Sequence, residues 1–150
     1  EVIDIPDDSL MLLLAPVPTE REEYLDYSAQ YEIWCSKKYF DPQLVREHAA
    51  IAYDRCHYPD GSGRQIAAML ASGDRELALA ELTVPTLVIH GRDDQLLLPI
   101  LGMRTAEVIP ASNFLLLSDM GHDLPEALWP VLVDSILSHV RNSSPAGNQG

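Results

Sequence analysis

Two short apolar runs in the second half of the chain stand out from the rest of its hydrophobic pattern. They are residues 86–89 (TLVI) and 114–117 (FLLL), and neither alternates apolar with polar positions. Such runs are typical of parallel strands that helices cover on both faces. Pro99 begins a helical segment between them, so the pattern predicts a strand, a helix and a second strand in one right-handed crossover unit.

Helical spacing dominates the first 82 residues. Leucines on one side of residues 7–15 predict a first helix, and a capping box at residues 19–22 (TERE) predicts a second helix that reaches about Lys37. Asp41 followed by Pro42 is a helix start, with an N-cap carboxylate and a proline at the first helical position, so a third helix should run to about His57.

The remaining segments follow from turn residues and apolar spacing. Residues 58–63 (YPDGSG) predict a turn, and residues 64–71 and 75–82 predict two further helices, the first of them ending at Ser72 and Gly73. The apolar positions that we expect to face inward on the first of these are Ile66, Ala67 and Leu70. A last helix should follow Pro125 and reach about Arg141, with an apolar face formed by Leu128, Leu132, Ile136 and Val140.

The change of pattern near residue 83 divides the chain into three parts. Residues 1–82 form a helical segment, residues 83–141 form a β-α-β-α unit of a parallel sheet, and residues 142–150 (NSSPAGNQG) form a disordered tail. Residues 1–6 are compatible with a strand end or with a linker. The fold class is therefore α/β.

Only two strands can be recognised, although strands with this apolar signature usually lie in the middle of a larger sheet. A two-stranded parallel sheet would leave apolar faces and hydrogen-bonding edges uncovered. We therefore expect a missing N-terminal half or self-association to cover the sheet edge. The first residue is Glu1 and not methionine, which agrees with a fragment.

Composition excludes several classes of function. Of the 150 residues, 47% are hydrophobic, and 23 acidic against 10 basic residues give a net charge of -13, which repels nucleic acids. No apolar run approaches the ~20 residues of a membrane span, and no signal peptide is recognisable. Cys35 and Cys56 lack metal-binding or disulfide-scaffold spacing, so we expect two reduced core thiols in a cytoplasmic protein.

Each apolar run is followed by a loop with a side chain that can steer or carry protons. Asp94 follows the first run and His122 follows the second, at the carboxyl ends where open parallel sheets place their functional groups. A carboxylate beside a histidine fixes the imidazole tautomer and stabilises its cationic form. The alternatives are that Asp94 only caps the next helix and that His122 is a surface residue.

The segments VPTLVIHGRDD and LLLSDMGHDLPEALWPVLVDSILSHV resemble the C-terminal part of the α/β-hydrolase-fold esterases and lipases. In that family the acid follows a strand in a G-x-x-D turn, and the histidine follows the last strand. The resemblance implies a partial α/β-hydrolase fold, with Asp94 as the acid, His122 as the general base and residues 1–82 as the cap. It favours the methylesterase-like members and a small ester-like substrate.

The chain contains no recognisable serine nucleophile. The family's G-x-S-x-G motif is absent, and so is the oxyanion-hole loop. Ser62 lies between Gly61 and Gly63, but the spacing is wrong and no apolar strand precedes it. The catalytic serine is therefore expected outside this chain, which alone should be inactive.

Other candidate residues are weaker. The histidines outside the two loops have no ligand-like partner spacing, so neither a metal nor a cofactor is expected. Aromatic residues that could line a substrate pocket are interpreted as core residues, and the substrate-binding residues stay unassigned. These aromatic residues are Trp34, Tyr39, Phe40, Tyr53 and Tyr58.

Two hypotheses follow. The first is an ester hydrolase to which this chain contributes the acid and the general base. The second is a non-catalytic binding or assembly module on a hydrolase-like scaffold, in which Asp94 and His122 would lie too far apart, or be wrongly turned, to form a hydrogen bond.

Overall fold

The computed structural model describes residues 6–143. The first part of this range is helical, and a 3-10 turn at Gln30–Trp34 follows the second helix. The helices of this part are α1 (Asp7–Leu14), α2 (Arg21–Ala29), α3 (Pro42–Arg55), α4 (Asp60–Ala71) and α5 (Glu76–Ala80). The second part contains β1 (Leu87–Gly91), α6 (Pro99–Val108), β2 (Asn113–Leu117), a 3-10 turn at Glu126–Leu128 and α7 (Trp129–Ser143).

Strands β1 and β2 form a parallel pair with α6 between them in sequence, which confirms the predicted strand, helix and strand. Leu87 pairs with Asn113, and the register continues to Gly91 opposite Leu117. No further strand occurs within residues 6–143. Because the strands are parallel, the loops after Gly91 and Leu117 leave the sheet at the same edge, side by side.

The predicted helix start is confirmed for α3, where the side chain of the N-cap residue forms hydrogen bonds with the backbone, and it is wrong for α2, where no such bond forms. Asp41 accepts hydrogen bonds from the N–H groups of Gln43 and Leu44, and Pro42 begins α3 as predicted. The capping-box prediction is wrong, because α2 begins at Arg21 and its N-cap, Glu20, makes no side-chain hydrogen bond. The predicted continuation to Lys37 is also wrong, since the α-helix ends at Ala29 and the 3-10 turn at Trp34.

The predicted turn at residues 58–63 is wrong as well. Helix α4 begins at Asp60 and includes Gly61, Ser62 and Gly63. A glycine inside a helix costs only about 1 kcal/mol relative to alanine, and Asp60 in the first turn interacts favourably with the helix dipole. The predicted end is confirmed, because the helix stops before Ser72 and Gly73 adopts a φ of +61°.

A small core joins the helical part to the loop after β1. Its buried members are Leu12, Tyr27, Trp34 and Leu96, and partly buried side chains such as Leu13 and Val17 pack around them. Leu96 comes only two residues after Asp94. The hydrophobic effect therefore holds this loop against α1 and α2.

Several apolar faces that were predicted to be buried are exposed. No residue of α4 is buried, and Leu70 is 73% exposed. On α7 only Leu132 is buried, whereas Ile136 is 46% exposed. The strand side chains are only partly buried, and those of Asn113 and Leu116 are exposed, because two strands offer too few neighbours to cover them.

Three remaining expectations concern the termini and the cysteines. Helix α7 includes Asn142 and Ser143, so the predicted tail does not begin at residue 142. Residues 1–5 and 144–150 lie outside the described residues.

Both cysteines are free, but Cys56 is exposed and Cys35 only half-buried, so neither is a core thiol. No helix within residues 6–143 is long and apolar enough to cross a membrane.

Candidate active site

The loop after β1 holds Asp94 in a buried and fully oriented position. The residue is 3% exposed. Its Oδ1 atom accepts hydrogen bonds from the backbone N–H groups of Leu96 and Leu97, both at 2.9 Å. Side-chain bonds of this kind stabilise a turn at an aspartate. The alternative that Asp94 only caps the next helix does not account for the whole geometry. Oδ1 accepts both of these bonds, whereas Oδ2 remains available for another partner.

The loop after β2 presents His122 towards solvent while its backbone is fixed. Asp119 turns the chain with a φ of +59°, and the N–H of His122 donates to the carbonyl oxygen of Trp34 at 2.6 Å. The imidazole side chain is 42% exposed. His122 therefore combines a held backbone with an accessible ring.

The structure brings the two side chains together across the neighbouring strand ends. Nδ1 of His122 lies 2.8 Å from Oδ2 of Asp94. A carboxylate only accepts hydrogen bonds, so Nδ1 carries the proton, and Nε2 of the neutral ring is left as the basic nitrogen. Among the described residues nothing forms a hydrogen bond to Nε2. The binding-module hypothesis expected the two groups to be too far apart, and this distance contradicts that expectation.

The pairing changes the pKa values of both groups. The hydrogen bond to Asp94 raises the pKa of His122, and the nearby carboxylates outweigh the opposing effect of burial. Burial by itself raises the pKa of Asp94, but the hydrogen bonds from His122, Leu97 and Leu96 lower it more, so that the net change is downward. Asp94 is therefore ionised at neutral pH and stabilises the positive charge that the ring of His122 acquires when Nε2 takes up a proton.

A second imidazole, that of His90, lies next to Asp94. Its Nε2 atom is 2.8 Å from the carbonyl oxygen of Leu97 and 3.5 Å from Oδ2 of Asp94. Since a carbonyl only accepts, Nε2–H of His90 donates to Leu97 and leaves Asp94 to His122. His90 was not among the site residues predicted from the sequence, although its position four residues before Asp94, in the first apolar run's strand, was visible.

Among the described residues, no side chain of the other candidates forms a hydrogen bond to Asp94 or His122. Ser62 is an exposed residue in the first turn of α4. The core interpretation is confirmed for Trp34, which is 8% exposed and stacks on Tyr31, but it is wrong for Tyr58, which is 52% exposed. Within residues 6–143 no group of three or more His, Cys, Asp or Glu side chains is placed to hold a metal ion.

Comparison with known proteins shows what the fold of this chain is similar to. No protein-family model matches the sequence. Among solved structures, the chain is similar to the esterase EaEST from Exiguobacterium antarcticum, with a TM-score of 0.64 and 20% identity over 90% of this chain and 48% of that chain. It is also similar to Est816, described as an N-acyl homoserine lactone degrading enzyme, with a TM-score of 0.56 and 17% identity over 89% and 50%.

The chain thus spans about half the length of the solved structures that it resembles. Both are α/β-hydrolase-fold enzymes. The parallel strand pair, the crossover helix and the helical segment are part of that fold, so the chain adopts a partial α/β-hydrolase fold as the sequence predicted.

Proposed function

We propose that the chain contributes the acid and the general base of a serine-type hydrolase of carboxylic esters. The observation that supports this most directly is the 2.8 Å hydrogen bond between a buried Asp94 and an accessible His122. A histidine oriented by a carboxylate is the proton-handling part of a Ser-His-Asp triad. The likeness to EaEST, which is described as an esterase, and to Est816 supports ester chemistry.

The proposed mechanism assigns one role to each side chain. Nε2 of His122 takes the proton of a serine hydroxyl as its oxygen attacks the ester carbonyl, and the same nitrogen returns that proton to the leaving alcohol. Asp94 holds the ring in the correct tautomer and stabilises the imidazolium while the proton is on it. Water then repeats the sequence on the acyl-enzyme and releases the carboxylic acid.

The serine would come from a polypeptide segment outside these 150 residues. The chain has no G-x-S-x-G motif, and Ser62 lies in a helix and not at a strand-to-helix turn. An open groove of about 830 Å³ lies beside α7 at the amino ends of the two strands, away from Asp94 and His122, and offers a surface for another part of the polypeptide that carries the serine. The apolar residues that line it are Pro85, Leu87, Leu115, Pro130 and Val131.

The substrate class follows from the chemistry that the triad would perform. A lactone is a cyclic ester, so the names of both similar proteins are compatible with attack of a serine on an ester carbonyl. We propose small carboxylic esters, open-chain or cyclic, as substrates. An activated aryl ester and an acyl homoserine lactone are suitable probes.

The test is to produce the chain alone and together with the polypeptide encoded directly upstream of Glu1. We expect turnover of p-nitrophenyl acetate only in the co-expressed form, and we expect His122→Ala to reduce it by at least about 10³-fold. His48→Ala is the control, because His48 is an exposed histidine on α3 that makes no contact with Asp94 or His122. Turnover by the isolated chain that survives His122→Ala would refute the proposal.

The exposed groove also favours the second hypothesis, a binding or assembly module. That function predicts a stable complex of the two polypeptides without ester turnover. The same co-expression experiment therefore separates the two functions.

A further inference from the structure

Ser36 is a buried serine that connects the helical part to the loop of His122. It is 0% exposed, and its Oγ–H donates to the carbonyl oxygen of Asp119 at 2.6 Å while Oγ accepts from the N–H of Tyr39 at 3.0 Å. Its own backbone N–H donates to Oδ1 of Asp123 at 2.7 Å. Ser36 thus contacts the His122 loop on both sides of the histidine.

The backbone around these bonds leaves little room for the loop to move. The N–H of His122 is bonded to the carbonyl of Trp34, and a Cβ atom on Gly121 would lie 2.3 Å from the same Trp34 oxygen. The packing is therefore close enough to transmit a displacement of residues 34–36 to the imidazole.

Ser9 makes the equivalent connection to the loop of Asp94. It lies on α1, is 2% exposed, and donates from Oγ to the carbonyl oxygen of Gln95 at 2.9 Å. Gln95 is the residue next to Asp94, and the following Leu96 packs in the core beside Leu12. One buried serine hydroxyl of the helical part is therefore bonded to each of the two loops.

We propose that Ser9 and Ser36 are positioning residues that set the distance between Asp94 and His122. Each hydroxyl bonds a backbone carbonyl within three residues of the group that it positions, across a boundary of more than 80 residues in sequence. The helical part would then determine the geometry of the acid and base. This role rests on the proposed function of the pair, but its geometry can be measured without any ester.

A third buried serine provides a matched control. Ser28 is 3% exposed, and its hydroxyl donates to the carbonyl of Tyr24 inside its own helix, α2. Replacing Ser28 by alanine removes a buried hydroxyl of the same kind without touching either loop. A general effect on folding should therefore appear in all three alanine variants, whereas an effect on His122 should appear only in Ser9→Ala and Ser36→Ala.

The experiment is a pH titration of the histidine side chains in the full 150-residue chain by ¹H–¹⁵N NMR, with His122→Asn to assign the resonance. The groups that face His122 are the carboxylates of Asp94 and Asp123. We expect Ser36→Ala and Ser9→Ala each to lower the pKa of His122 by about half a unit or more, towards its ordinary value. Ser28→Ala should leave it unchanged.

A His122 titration that is the same in Ser9→Ala, Ser36→Ala and Ser28→Ala would overturn the proposal and leave the two serines a purely structural role. If Ser36→Ala does not fold, Ser36→Cys keeps most of the side-chain volume with a weak donor, and its pKa for His122 decides in the same way. Because no nucleophile is involved, failure here leaves the ester hydrolysis test unaffected, and failure of that test leaves this one valid.

Discussion

The loops after β1 and β2 touch through their backbones at two glycines. A Cβ atom on Gly91 would lie 2.2 Å from the carbonyl oxygen of Gly121, a separation that real Cβ contacts essentially never show. The N–H of Asp93 donates to the carbonyl of the neighbouring Met120 at 2.9 Å. The close approach that brings Asp94 within hydrogen-bonding distance of His122 therefore depends on Gly91 having no side chain.

We predict that Gly91→Ala separates the two loops. Because the clash is with backbone, no side-chain rotation relieves it, and we expect a loss of about 1–3 kcal/mol in the free energy of unfolding. Urea denaturation measures this, and the pKa of His122 should fall in the same variant. Gly63→Ala is the control, since a Cβ there meets no atom within 4 Å and should change stability by no more than about 1 kcal/mol, in the stabilising direction. Equal stability of the two variants would contradict the prediction.

The second prediction concerns the carboxylate itself. Asp94→Asn keeps the shape of the side chain but removes the charge, so the pKa of His122 should fall and kcat of the co-expressed enzyme should drop on the order of 10³–10⁴-fold. NMR titration and ester turnover measure the two effects. Asp93→Asn is the matched control, because Asp93 is the adjacent residue and its carboxylate pairs with Arg92 at 3.6 Å instead. Equal losses of ester turnover in Asp94→Asn and Asp93→Asn would contradict the prediction, because a general disturbance of the loop would then explain both.

The third prediction is a pH dependence of stability. The pKa of His122 is raised in the folded chain, so its contribution is complete below the ordinary value of 6.5 and is lost as the pH rises through the folded value. The pKa of Asp94 is lowered, so its contribution is complete above 3.8 and is lost as the pH falls through the folded value. In a double-mutant cycle with Asp94→Asn and His122→Gln, the coupling energy should be larger at about pH 5.5 than at about pH 8.5. A coupling that does not change with pH would refute this assignment.

The elements predicted best are those with a local cause. Strands β1 and β2 were predicted within two residues from the apolar runs at 86–89 and 114–117, and the start of α3 follows from Asp41 before Pro42. Asp94 and His122 were recognisable because parallel strands bring their following loops to one edge. Each of these signals lies within a few residues of the feature that it predicts.

The features that sequence reasoning missed depend on partners far along the chain. The hydroxyls of Ser9 and Ser36 bond carbonyls 86 and 83 residues away, and a lone serine carries no local sign of such a partner. The failed capping box at Thr19 and the helical Gly61 and Gly63 show that local turn and cap preferences are weak. Apolar spacing on α4 and α7 indicated a buried face without indicating what would cover it.

The fourth prediction concerns the two thiols. Burial raises the pKa of Cys35 to about 12, with Asp123 and Glu32 adding to the effect, so its reactive thiolate is scarce at neutral pH. Cys56 is exposed beyond the end of α3. We therefore expect iodoacetamide to modify Cys56 first and Cys35 only after urea is added, as peptide mass spectrometry would detect. Faster modification of Cys35 in the folded chain would contradict this.

The last prediction tests the groove as the surface for the nucleophile-bearing polypeptide. Val131 lines the groove near the start of α7 and is 40% exposed, so Val131→Glu should place a charge in the contact without unfolding the helix, whose N-terminus favours a negative side chain. We expect affinity for the co-expressed polypeptide to fall at least about tenfold, measured by calorimetry, because a charge is buried without a partner. Ile51→Glu is the control, since Ile51 is an apolar, 66% exposed residue of α3 that does not line the groove. If both variants bind as the unmodified chain does, the polypeptide packs on another surface.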